Sequence, residues 1–210
     1  MNRLTPLRAL TLAAVVGLLV AMVLDTTFLD PAEQSAAQSP TFSPAEYVDA
    51  EFDNTAALIE DAAVDLPELA AALADDEAAA SAEFGVESGT NKFVFAVRVT
   101  GVVAEVDDRF IIVDIAEMAD ADVRIPLSTA LNGAPIRDVT DTVSFGDFAN
   151  QTEYQQVANE YKLTVQELVL EPLDLDALGG STIEVVGAWT TGGPPDTYII
   201  HPVRIEVADD

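Results

Sequence analysis

Two short stretches in the middle of the chain concentrate the residue types that recognise polar molecules: Asn132-Gly133-Ala134-Pro135-Ile136-Arg137-Asp138 and Phe145-Gly146-Asp147-Phe148-Ala149-Asn150-Gln151. An arginine offers a rigid fork of donors that clamps a carboxylate, and an adjacent aspartate can cap a turn. On a ligand-binding reading, Arg137, Asp138, Asp147, Asn150 and Gln151 converge on a polar small molecule such as a sugar, with Phe145 and Phe148 stacking on its apolar face. On a structural reading the same residues are an ion pair and helix caps that fix a long crossover, because Asp147 and Asn150 stand just before a helix whose first N–H groups need acceptors. Both readings stay open at the level of sequence.

Few other residues support a reaction. His201 is the single histidine and there is no cysteine, so neither a His pair for zinc nor thiol chemistry can be assembled. A surface or strand-edge position is expected for His201. Glu117, Asp120 and Asp122, and separately Asp174 and Asp176, offer oxygens but lack the spacing and glycine of a calcium loop, and they read as solvated turns. No glycine-rich phosphate loop is present. No metal, cofactor or catalytic residue is therefore assigned, and a non-enzymatic protein is expected. A hydrolase using paired carboxylates is the less favoured alternative, and it requires two acids facing one cleft.

Charge narrows the partners. The chain carries 37 Asp and Glu against 9 Lys and Arg, a formal net charge of -28, and every acidic residue lies at or beyond Asp25. Such a field repels nucleic acid, whose binding depends on basic side chains displacing counterions, so no nucleic-acid partner is expected.

The elements that position these residues follow from periodicity. Ser43-Pro44 with Glu46 close behind is a helix start, and Tyr47, Val48, Phe52, Leu58 and Ile59 recur near the helical repeat. Asp65-Leu66-Pro67 restarts a helix, and Phe84-Gly85 ends an Ala-rich third piece. From Lys92 the period changes to two, with Gly101 interrupting a long strand that resumes to Val106. Strands follow over 109–115 and 122–126, a helix over 151–170, then strands over 181–190 and 197–207. The order of three strands, a helix and two strands, with a long kinked first strand, points to an OB-like barrel. The expected fold class is α+β: an N-terminal membrane anchor, a small helical cap over 43–86, and a five-stranded OB-fold-like β-barrel over 92–208 with a helix between strands 3 and 4.

At the front, Arg3 and Arg8 precede an uncharged run from Ala9 to Leu24. Basic residues on that side alone favour an N-terminus inside and the remainder outside. The expected layout is a cytoplasmic tip over 1–8, a transmembrane signal anchor over 9–29 and a flexible linker over 30–42, giving a single-pass plasma-membrane protein with an extracytoplasmic C-terminal domain. A cleaved signal peptide competes with this, although Ala21-Met22-Val23 is a poor cleavage site and Ser35-Ala36-Ala37 lies far downstream.

Together with the two central stretches, Tyr47-Val48-Asp49, the acidic Leu-rich segment over 66–76, the Val-x-Gly strand over 99–103, Val186-Gly187-Ala188 and Ile200-His201-Pro202-Val203-Arg204 resemble the DUF2291 family of predicted periplasmic lipoproteins. The resemblance implies an accessory role near sugar ABC-transporter components, and it leaves activity unassigned. It also exposes a departure: the resemblance implies the lipobox cysteine that family members typically carry, and this chain has none. The apolar run from Ala9 would replace a lipid anchor by a protein one, which holds far more firmly than one acyl chain. The leading expectation is a membrane-anchored accessory or binding module that touches an ABC-transporter component. A direct sugar receptor is the alternative, and it requires a concave pocket holding Arg137 or Trp189.

Overall fold

A computed structural model describes residues 42–208. The expected cytoplasmic tip, the anchor and nearly all of the linker lie outside the described residues. Among the described residues no helix is long and apolar enough to cross a membrane.

Helix α1 (Pro44–Ala62) starts as its sequence dictates: Ser43 Oγ accepts the Glu46 N–H, and Pro44 occupies the first turn, where no N–H partner is needed. Its buried face is Val48, Phe52, Thr55 and Ile59. A two-residue strand β1 (Val64–Asp65) leads into α2 (Leu66–Asp75) and α3 (Glu77–Phe84), the latter capped by the Asp76 carboxylate on the Ala79 N–H. The chain then forms β2 (Gly85–Gly89), which turns back into β3 (Lys92–Val106).

Strands β4 (Phe110–Asp114), β5 (Asp122–Pro126), β6 (Thr182–Thr190) and β7 (Thr197–Val207) complete the barrel. The sheet runs β3-β4-β5-β7-β6 and closes through β3 against β6, from Val94 opposite Thr190 to Val102 opposite Thr182. The β5–β7 pair is parallel and the other barrel pairs are antiparallel. Closure leaves no open edge within the five strands, because β3 is long enough to serve both sides. Its middle must bend across the end of β4 to do so. At Gly101 a Cβ would stand 2.5 Å from the Asp114 carbonyl oxygen and 2.6 Å from Val113 Cγ1, so only glycine permits that approach.

β1 and β2 were not legible as strands in the sequence. They add to β3 outside the closed barrel, β1 parallel at Val97 and β2 antiparallel at Val94. Alternation also weakens where α1 covers the outer surface of β3 and β6: every residue from Val94 to Val97 is buried, and so is every residue from Val185 to Ala188.

Between β5 and β6 lie a short helix α4 (Ala134–Asp138) and the longer α5 (Gln151–Val165), which runs into a π-turn over Gln166–Leu170. Val157, Ala158, Tyr161 and Val165 bury one face of α5. Tyr161, fully buried, shares a 2.9 Å hydrogen bond with Thr55, which fastens α5 to α1.

Candidate functional site

Arg137 sits in the last turn of α4 and is 5 % exposed. Its Nε donates to Asp138 Oδ1 at 2.6 Å and its Nη1 donates to the Tyr154 carbonyl at 2.7 Å, while the guanidinium carbon lies 3.4 Å from the centre of the Tyr154 ring. Asp138 Oδ1 also accepts the Tyr154 hydroxyl at 2.9 Å, and Oδ2 accepts Ser88 Oγ at 2.9 Å. Four side chains from β2, α4 and α5 thus satisfy one another. Burial, followed by the Asp138 charge, pushes the Tyr154 phenol above its ordinary value, so the hydroxyl stays protonated and remains the donor.

The remaining sequence-selected residues hold backbone. Asp147 Oδ2 accepts the Ser144 N–H at 2.8 Å and closes a capping box on the turn Phe145–Asp147. Asn150 Oδ1 accepts the Glu153 N–H at 3.0 Å as the N-cap of α5. Gln151 is exposed at the first position of that helix. The structure therefore brings Arg137 and Asp138 together, places Asn150 and Gln151 at the start of α5, and puts Asp147 to work in a separate cap. Phe148 is buried against Tyr47 and Tyr154, whereas Phe145 stands 54 % exposed with an edge contact to Tyr154.

Two residues of the network were not among the site residues selected from the sequence, where Tyr154 reads only as part of the face of the 151–170 helix shared with Val157, Ala158 and Tyr161. Tyr154 carried a signal, because it lies one helical turn after the Asn150 cap and so faces back toward the crossover. Ser88 carried none, since its partner is 50 residues away.

His201 requires a correction. An exposed or edge position was expected, but β6 and α4 cover it and it is 7 % exposed. Burial lowers its pKa from 6.5 to about 4, so it is neutral, and Nδ1 accepts the Asn132 N–H at 3.1 Å. The histidine thereby positions the start of the crossover.

Two grooves hold the residues a receptor would use, and the first of them borders these elements. One, of about 490 Å³, lies between α4 and α5 and is lined by Asn132, Arg137, Gln151, Gln155, Asn159 and Lys162 among others, with no carboxylate. Gly133 in its wall lies hard against α5: a Cβ there would collide with the Ala158 carbonyl oxygen and stand 2.7 Å from Lys162 N. The other, of about 830 Å³, runs between α2 and the β6–β7 turn and holds Trp189, Tyr198 and the carboxylates of Glu77, Glu117, Asp120 and Asp196. Arg137 lines the first groove and Trp189 the second. All four carboxylates of the larger groove stand exposed.

A closed five-stranded barrel with a helix between its third and fourth strands defines this as an α+β protein of the OB-fold type. It is similar to the crystal structure of an OB-fold protein from Thermotoga maritima, with a TM-score of 0.67 and 21% identity over 80% of this chain and 99% of that one. The model of the DUF2291 family of predicted periplasmic lipoproteins matches residues 12–206, and the chain belongs to that family. No curated protein matches it.

Proposed function

We propose that the chain is a membrane-anchored, extracytoplasmic module without catalytic activity that assists solute uptake by touching a component of a sugar ABC transporter. The family is described as periplasmic and lipoprotein, which supports a place outside the cytoplasm and at the membrane. With no cysteine to acylate, the run from Ala9 to Leu24 behind Arg3 and Arg8 takes over as the anchor.

The observation that carries this reading is the α4–α5 groove. In a chain of net charge -28, its lining of amides with Lys162 and without carboxylates is a surface that a polar or anionic partner group can approach without repulsion. Its walls are fixed by the Arg137–Asp138–Tyr154 network, so little ordering remains to be done on binding. A hydrolytic reading gains less support, because general acid catalysis needs one carboxyl screened from water, and the four in the larger groove are exposed.

A photo-cross-linking residue in place of exposed Gln155, activated in intact cells, is expected to capture a transport component. Capture of nothing but the chain itself would remove the proposal. The Trp189 groove favours a second reading, direct sugar reception, for which a sugar panel is expected to raise the thermal midpoint; a flat response across the panel would end it.

A further inference from the structure

The α4–α5 groove differs in charge from the other clefts of the described residues. Four of those are each lined by three or four carboxylates, whereas this groove has none in a chain of net charge -28. It holds Lys162 instead, which makes no ion pair among the described residues. The buried Arg137 borders both this groove and the cleft that contains Asp138. Its Nε and Nη1 are bonded to Asp138 and to the Tyr154 carbonyl, which leaves Nη2 without a hydrogen-bond partner among the described residues. No buried side-chain nitrogen there is unsatisfied, so Nη2 reaches solvent.

Gln151, Gln155, Asn159 and Lys162 recur every three or four residues along α5 and share the face that lines the groove. They extend over about 16 Å of helix. The close approach of Gly133 to Ala158 and Lys162 sets the neighbouring Asn132 toward the Lys162 end. Asn132 Oδ1 accepts the Ala134 N–H at 3.0 Å, so its amide nitrogen is left to donate. Tyr154 is the one aromatic ring in the lining, and protein occupies it: the Arg137 guanidinium lies 3.4 Å from its centre, and Phe145 and Phe148 pack against it. The groove therefore offers a cation and a row of amides, without the free ring face on which a neutral sugar stacks.

We infer that this groove binds a small carboxylate bearing hydroxyl groups, a sugar acid in chemical class, with the carboxylate at Lys162 and Asn159 and the hydroxyls along Gln155 and Gln151. The inference deepens the proposed reading of the groove and rests on it in one respect, that the groove is a binding surface. An ammonium gives a carboxylate a charge-assisted hydrogen bond, and an amide both donates and accepts, as a hydroxyl does. The volume of about 490 Å³ falls inside the range of about 300–1,000 Å³ usual for small-molecule sites. A phosphate ester, with its second charge, would meet stronger repulsion from the acidic chain while gaining the same single unpaired ammonium.

The full-length protein in detergent is titrated calorimetrically with D-glucuronate, with D-glucose, which keeps the ring and lacks the carboxylate, and with acetate, which keeps the carboxylate and lacks the hydroxyls. Saturable glucuronate binding is expected, with glucose and acetate each weaker by about tenfold or more. Lys162→Gln is expected to weaken glucuronate about tenfold and Lys162→Arg to retain it. Asn159→Asp places a carboxylate in the groove at an exposed position and is expected to weaken glucuronate at least as much. Unchanged circular dichroism verifies that the variants are folded. Absence of saturation, equal binding of glucose or acetate, or unchanged affinity in the folded Lys162→Gln and Asn159→Asp proteins would each overturn the inference. Cross-linking from Gln155 without added sugar acid tests the transporter contact separately. Capture of a transport component with no glucuronate binding removes this inference alone, whereas glucuronate binding without capture supports it and removes the transporter contact alone.

Discussion

Asp138 accepts hydrogen bonds from Arg137, Tyr154 and Ser88, and among the described residues it is the carboxylate paired with a guanidinium shut away from water. Removing one partner of a buried pair leaves the other uncompensated, so Asp138→Ala is expected to cost about 3 kcal/mol or more in a urea titration. A loss well under 1 kcal/mol would mean that water replaces the carboxylate, and that the network is not a structural pin. His201 gives a residue-scale effect of opposite character. Its folded pKa, about 4, lies below the 6.5 of an ordinary histidine, so protons bind the unfolded chain more tightly. Its contribution is fully present above pH 6.5 and is lost as pH falls toward 4, on the order of 3 kcal/mol in all. Carboxylates titrate in the same range. The measurable quantity is therefore the difference in stability between the protein and His201→Gln, which is expected to shrink from pH 7 to pH 4.

Helices α4 and α5 meet at Gly133, whose missing Cβ lets the backbone of α4 approach the Ala158 carbonyl. Gly133→Ala must push the two helices apart, which strains the Arg137–Tyr154 contacts and reshapes the groove together. A destabilisation of about 2 kcal/mol or more is expected by thermal unfolding, since backbone rather than a flexible side chain must give way. Cross-linking from Gln155 should fall with it. The main elements were legible because each carries a local cause: Ser43-Pro44 and Asn150 for helix starts, the two-residue period from Lys92, and Gly101 for the bend. The short strands β1 and β2 were not, because two to five residues hold no period and pairing with β3 is what makes them strands.

Across the whole molecule, 37 acidic side chains face 9 basic ones. Among the described residues the ion pairs involve only Arg98, Arg124, Arg137 and Arg204, so most carboxylates have no cation to offset them. Self-repulsion then opposes the compact state, and salt relieves it as the screening length contracts from about 30 Å at 0.01 M to about 3 Å at 1 M. The thermal midpoint is expected to rise over that interval. A midpoint that is flat or falling would show that the acidic surface is already spaced to be neutral in effect.

The sequence by itself determined the family, the barrel order, the helix caps and the exclusion of cysteine chemistry, since each rests on residue type or on spacing along a few turns of chain. It also selected Arg137 and Asp138 without deciding what they do. Only tertiary structure supplied Ser88 and Tyr154 as their partners, buried His201 beneath α4, and set Trp189 and Tyr198 beside carboxylates from α3, the β4–β5 connection and the β6–β7 turn. Several of those meetings join residues tens of positions apart, Ser88 with Asp138 and Asn132 with His201 among them. Their reality depends on chain closure and burial, which no local pattern encodes.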